Sequence, residues 1–263
     1  YLLNTIYAIL FTAPLFIFCS KLKRVYFALL VSYPYYIIVV GMGPIRQAAC
    51  ISILMLSFIN LKNKRYLSYY ASTIFSLLIH QFSLIFNALL LMPILPRIKK
   101  NKFSKMGTFL SIFLISIIAF NFPSYFNKLY IYFTLPDIII TPAKGTIFVW
   151  IINFIPAVIF LCNVKKFKFE DYLNKILIIF TIFEILLLPL VFFKSVVAYR
   201  LILYIFPSSL LITSKLPDIK LFKIESHYFV KGIIFLAFLN LIIWTNYAYH
   251  AYCWIPYKSV ILN

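Results

Sequence analysis

The chain has 263 residues, of which 64% are hydrophobic and 12% charged, with a mean hydropathy of +0.99. Soluble domains are about half apolar and about a quarter charged, so this composition excludes a soluble globular domain and points to a polytopic membrane protein. The formal charge of +19 comes from 25 Lys and Arg against 6 Asp and Glu. The cations sit in short loops between apolar stretches, which is a topology signal and argues against nucleic acid as a partner.

The sequence opens with "YLLNTIYAIL", which has neither an initiator Met nor a charged n-region. No cleavable signal peptide is expected, and an N-terminal portion is expected to precede residue 1. Stretches of about 17–22 apolar residues can each cross the hydrocarbon as a helix. They are expected near residues 2–20, 25–42, 44–61, 66–80, 81–96, 106–122, 145–163, 176–193, 197–213 and 229–246. The fold class is therefore all-α, a polytopic transmembrane helix bundle of about ten spans. It forms one transmembrane domain over 1–263. Residues 66–96 read either as two short helices or as one span plus a re-entrant segment.

The loops set the threading. "KLKR" (21–24), "KNKR" (62–65), "RIKKNKFSK" (97–105), "KKFKFEDYLNK" (165–175) and the 214–231 region together hold 19 of the 25 cations on alternate loops. The other side keeps six, Arg46, Lys128, Lys144, Lys194, Arg200 and Lys258. Short loops rich in Lys and Arg stay cytoplasmic, so the sparse side is expected to face outward. Segment 123–144 is aromatic but carries Pro123, Pro136 and Pro142. It is expected to be a loop or an interfacial helix on the outer leaflet. Cys19, Cys50, Cys162 and Cys253 lie far apart without a CxxC pair, and they read as small apolar residues rather than a disulfide frame or a zinc site.

Depth brings three of the sparse polar residues together. Lys62 to Arg46 is about 24 Å along a helix, Arg65 to His80 about 22 Å, and Lys215 to Arg200 about 22 Å. With the basic loops in one plane, Arg46, His80 and Arg200 fall in a second plane near the outer edge of the hydrocarbon. In "GMGPIRQAA" (41–49), Pro44 suits a first helical turn and Gly43 the backbone turn before it. Arg46 there offers a planar fork for a phosphate, and Gln47 adds neutral donors and an acceptor. The competing reading is that Arg46 snorkels to lipid headgroups. Arg200 faces the same two readings, and Lys194 either extends the anion site or meets headgroups. His80, in "LLIHQFS", is a candidate proton acceptor for a hydroxyl or else a histidine bonded within the bundle.

Glu184 lies mid-span in "IFEILLLPL", where an acid marks a functional site or a buried ion pair. It sits deeper than the Arg–His–Arg layer, so a structural or coupling role ranks above direct catalysis. Asp137, in "TLPDIII", is the one acid of the outer loops and reads as an alternative general base or a solvated carboxylate. The tail "NYAYHAYCWIPYK" (246–258), with His250 and Lys258, reads as an interfacial anchor. Metal-ligand spacings, P-loops, GxGxxG and GxSxG motifs are absent from the sequence. No cofactor and no metal are expected.

"GMGPIRQAACISILMLSFINLKNKRYLSYYASTIFSLLIHQFSLI" (41–85) resembles a segment of the EpsG-like, Wzy-type polysaccharide polymerases. In that family a Gly-rich turn leads to Arg-Gln-Ala, an apolar helix, a basic loop, and a second helix ending in His. "YRLILYIFPSSLL" (199–211) and "WIPYKSVI" (254–261) resemble that family's later Arg-bearing span and tail. "HQFS" departs from it, since a serine or threonine is expected nearer the His. The resemblance implies an enzyme of the bacterial inner membrane acting at its outer face on undecaprenyl-diphosphate-linked oligosaccharides. It implies transfer of a growing glycan from its lipid diphosphate to a sugar hydroxyl of the next lipid-linked unit. A flippase and a chain-length regulator of the same pathway are the implied protein partners. Arg46 and Arg200 would then stabilise the leaving diphosphate, and His80 would orient or deprotonate the acceptor.

The alternative is a flippase that moves the same lipid-linked oligosaccharide without making bonds. Such transporters show repeated halves, and no internal repeat is evident here. An O-acyltransferase would use a cytoplasmic acyl donor, on the side away from His80.

Overall fold

Main-chain polar groups cannot stay unpaired in hydrocarbon, which leaves internally bonded helices or closed barrels as spanning structures. The computed structural model describes residues 2–41, 43–80, 83, 86, 87, 123, 126, 127, 130, 131, 134, 145–219 and 226–247. Among them every regular element is helical. In chain order these are α1 (Leu2–Ser20), α2 (Val25–Ser32) continuing as a π-helical stretch (Tyr33–Val40), α3 (Ile45–Lys62) and α4 (Tyr66–Ile79). After them come α5 (Thr146–Cys162), α6 (Val164–Phe167), α7 (Asp171–Leu186), α8 (Leu188–Phe193), α9 (Ser195–Lys215) with a 3-10 turn (Leu216–Asp218), and α10 (Ser226–Tyr247).

Among the described residues, five stretches are long and apolar enough to cross a membrane: Leu2–Ser20, Ile45–Lys62, Asp171–Phe193, Ser195–Asp218 and His227–Tyr247. Val25–Val40, Tyr66–Ile79 and Thr146–Cys162 are apolar but shorter. Of the span expected at 81–96 only residues 83, 86 and 87 are described, and all three are helical. The span expected at 106–122, the loop 97–105, Asp137 and the part of the tail with His250 and Lys258 lie outside the described residues. Of the about ten spans expected, length and composition support five among the described residues. Within segment 123–144, the described residues 123, 126, 127, 130, 131 and 134 are helical, with Phe126, Tyr130 and Ile131 exposed.

Three details depart from the sequence expectation. The 25–42 span is not α-helical throughout, since Pro34 at its first turn lacks the N–H of an α ladder and Tyr33–Val40 winds as a π-helix. The 176–193 span starts earlier, at Asp171, and breaks at Leu187 just before Pro189. Gly43 has no left-handed backbone, as no described glycine has positive φ. Its missing side chain matters through space, because a Cβ there would sit 2.9 Å from the Val39 carbonyl oxygen.

Helix α9 occupies the centre, against α2, α3, α5, α7 and α8. Its window is 83% buried, against 17% for α10. The difference follows from composition, because α9 carries Ser208, Ser209, Thr213 and Ser214, all buried, and hydroxyls in a membrane belong inside the bundle. Two of them, Ser208 and Ser214, donate back to the Ile205 and Leu211 carbonyls of their own helix. Helices α3 and α4 are joined by small polar side chains, with Ser57 and Ser72 hydroxyls 2.8 Å apart and the Thr73 hydroxyl 3.4 Å from Ser57.

One end of the bundle gathers the basic turns. Asp218 binds both Lys23 and Arg24 at 3.0 Å, and Lys215 Nζ donates to the Phe167 carbonyl at 2.9 Å while standing over the Phe169 ring. Turns 21–24, 164–170 and 215–218 thus meet at one end, as the charge pattern expects. The opposite end holds the starts of α3, α5 and α9 and the end of α4.

Gly43→Ala should lower stability by about 1–3 kcal/mol through overpacking against the Val39 carbonyl, seen as a lower thermal midpoint of the purified protein. Gly145→Ala, where a Cβ meets nothing within 4 Å, should leave that midpoint within the small range of a surface change.

Candidate functional site

At the end opposite the basic turns, α3 begins with Ile45 after an N-cap Pro44, so Arg46 and Gln47 fall in its first turn. Arg46 is exposed and Gln47 is buried at 3%. A buried amide in this setting requires partners. Gln47 finds one across the bundle, where its Nε2 donates to the Arg200 main-chain oxygen at 2.7 Å. The first turn of α3 is thereby fastened to the second turn of α9, and Arg46 and Arg200 share one end of the bundle. Arg200 is half-buried, and Lys194 is the half-buried N-cap of α9.

His80 ends α4. Its backbone turns extended (φ −151°, ψ 116°) while its N–H still donates to the Ser76 carbonyl. The half-buried imidazole points to α9, with Nδ1 2.8 Å from the Tyr204 hydroxyl. Tyr204 follows Arg200 by four residues, one turn along the same face. Its ring is stacked on Phe86, with centroids 4.7 Å apart and planes at 16°. Cys50 follows Arg46 by the same spacing, and its thiol donates to the Ser76 carbonyl at 3.2 Å and lies 3.8 Å from the Tyr204 hydroxyl. Asn87 extends the cluster, donating to the Ser76 and Ser83 hydroxyls.

Three of the residues expected at one depth are therefore tied together through neighbours, Arg46 and Arg200 by Gln47, and Arg200 and His80 by Tyr204. The tautomer of His80 decides its chemistry. With Nδ1–H donating to the phenol oxygen, Nε2 is the basic site of the ring. In the opposite tautomer the phenol donates and Nε2–H becomes a donor.

Glu184 is not part of this layer. It is fully buried in α7, its main-chain oxygen accepts the Trp150 indole N–H at 2.9 Å, and neither carboxylate oxygen has a hydrogen-bond partner among the described residues. Of the two readings of this acid, a functional site or a buried ion pair, the described residues supply no cation within ion-pair distance for the second. Asn153, three residues after Trp150 on α5, also buries an oxygen without a partner among the described residues. Asp137 lies outside the described residues.

Reading the sequence alone missed Tyr204 and Cys50. Both stand four residues after an arginine singled out from the sequence, so helical periodicity carried the signal. Cys50 is buried as expected of a small apolar residue, but it also bonds across to α4.

A model of the EpsG family matches residues 1–259, nearly the whole chain, and the chain belongs to that family. No curated protein and no solved structure matches it. Family membership and the apolar helices together make this a membrane protein with a polysaccharide polymerase-like role.

Gln47→Leu should weaken the α3–α9 attachment by about 0.5–1.5 kcal/mol, the net worth of one hydrogen bond. Thermal unfolding of the purified variant measures it, and an unchanged midpoint would mean the bond does not hold the two helices.

Proposed function

We propose that this member of the EpsG family polymerises undecaprenyl-diphosphate-linked oligosaccharide repeat units at the outer face of the bacterial inner membrane. The product is a surface polysaccharide such as O-antigen, capsule or exopolysaccharide. The observation that carries this reading is the Gln47–Arg200 hydrogen bond, which keeps two guanidinium-bearing helix turns together beside His80.

The reaction transfers a glycan from a lipid diphosphate to a hydroxyl of the next lipid-linked unit. The acceptor oxygen forms a bond to the anomeric carbon, the bond from that carbon to the diphosphate oxygen breaks, and the diphosphate leaves with the bonding electrons. Arg46 and Arg200 neutralise the charge that develops on the leaving oxygens, a term that is large in a water-poor site. Guanidinium suits it because it stays protonated and meets two phosphate oxygens at once. His80 takes the proton of the acceptor hydroxyl on Nε2, with Tyr204 holding the ring from the other side. Lys194 binds substrate at the rim, Gln47 serves it indirectly by holding the two arginine-bearing turns together from within the bundle, and Asp137 is a further candidate contact from the outer segment. Glu184 supports the bundle or couples its helices. A flippase delivers the lipid-linked unit, and a chain-length regulator limits the product.

Deleting the gene should leave single repeat units on the surface and remove the long chains, read as the loss of the ladder on a polysaccharide gel. Loss of all surface glycan, with repeat units retained inside the cell, would identify a flippase instead.

Arg46→Ala and Arg200→Ala should each cut chain elongation by about 10²–10³-fold at normal protein level, the usual loss of one transition-state donor. Normal chain lengths in both variants would remove the arginines from the mechanism. Tyr204→Phe should slow elongation only about fivefold, the equivalent of ~1 kcal/mol for one hydrogen bond. It should also shift the acid limb of the pH–rate profile, which a packing defect would leave in place.

A further inference from the structure

The basic end of the bundle holds a cavity of about 100 Å³, lined by Lys21, Lys62 and Asn63 at its mouth and by Phe18, Phe58 and Leu211 further in. That is several times the space one water needs and on the scale of a phosphate group. Lys21 directly follows α1 and Lys62 closes α3, so both ammonium groups stand at the rim of the apolar helices. Asp218 compensates Lys23 and Arg24, and Lys215 is engaged by the Phe167 carbonyl. No carboxylate among the described residues pairs with Lys21 or Lys62. The site is thus a pair of uncompensated cations over an apolar wall, facing the membrane surface that carries the basic loops.

We propose that this cleft binds an anionic phospholipid of the leaflet on the basic side. Its phosphate is held between Lys21, Lys62 and Asn63, and an acyl chain starts along Phe18, Phe58 and Leu211. The charge arrangement selects the occupant. A zwitterionic lipid brings its own cation to the two lysines, whereas an anionic one brings net negative charge. The apolar lining of Phe18, Phe58 and Leu211 favours a lipid over free phosphate, which gains nothing from burying hydrocarbon. The site stands at the opposite end from Arg46, His80 and Arg200 and does not depend on their role.

The test is thermal unfolding of the full purified chain in detergent micelles supplemented with phosphatidylglycerol, phosphatidylcholine or inorganic phosphate. Phosphatidylglycerol is expected to raise the midpoint and the other two are not. A double variant, Lys21→Gln with Lys62→Gln, should weaken the apparent affinity for phosphatidylglycerol about thirtyfold, from about 1 kcal/mol per lysine. Leu211→Trp, which fills the cavity and keeps every charge, should weaken it as well. Lys64→Gln with Lys165→Gln removes two cations of the same end from outside the cleft and should leave affinity unchanged. Equal shifts with phosphatidylcholine, an equal shift with inorganic phosphate, or equal losses in the two double variants would each overturn the proposal.

Discussion

The hydrogen bond from Gln47 to the main chain of Arg200 fixes how α3 lies along α9. In a bundle that excludes water, an amide left without a partner costs several kcal/mol. Sliding α3 by one turn, about 5.4 Å, would orphan it. The register set there passes to the rest of the packing. Tyr36 on the π-helical stretch bonds the Ala48 carbonyl and faces the Ser52 hydroxyl, so the strand of contacts that begins at Gln47 also positions α2. Through Cys50 and Ser76 it reaches α4, and through Tyr204 it returns to α9.

The two ends of the bundle solve opposite electrostatic problems. The basic end is crowded with cations in solvent-facing turns, and one acid, Asp218, serves two of them. Such exposed pairs contribute little stability individually; they record which turns meet. The other end carries few charges but places them on hydrogen-bonded supports, with Gln47 and Tyr204 buried behind the arginine-bearing turns. Stiffness is concentrated where few cations must be held in place, which is the property an anion site requires.

The depth of the Arg–His–Arg layer was legible because a helix advances uniformly and basic loops mark a plane. From those two facts, counting back from Lys62 and Lys215 and forward from Arg65 is enough to bring Arg46, Arg200 and His80 to one end. Lateral neighbours were harder to see. Depth says nothing about which faces of two helices meet, so the partnership of His80 with Tyr204 depends on packing that a one-dimensional pattern does not carry. The winding of Tyr33–Val40 was hidden for a similar reason, because Pro34 announces a missing N–H but not whether the chain kinks or widens in response. Gly43 was assigned to backbone freedom when its reason is the nearness of the Val39 carbonyl. That distance exists only once the helix before it is wound. Glu184 was visible as an anomaly, while its carboxylate's lack of a partner among the described residues could be seen only in three dimensions.

The π-helical stretch also bears on how such a chain can vary in length. A ladder bonded five residues apart takes up more chain per turn than one bonded four apart. Tyr33–Val40 therefore stores slack just upstream of the turn that launches α3. Deletion of a single residue within it can be absorbed by rewinding toward the tighter ladder. The same deletion inside α3 would rotate Arg46 by about 100° relative to everything after the cut. Length changes in this fold should thus be tolerated in the π-helical winding before Gly41 and refused within α3, a division drawn by winding alone.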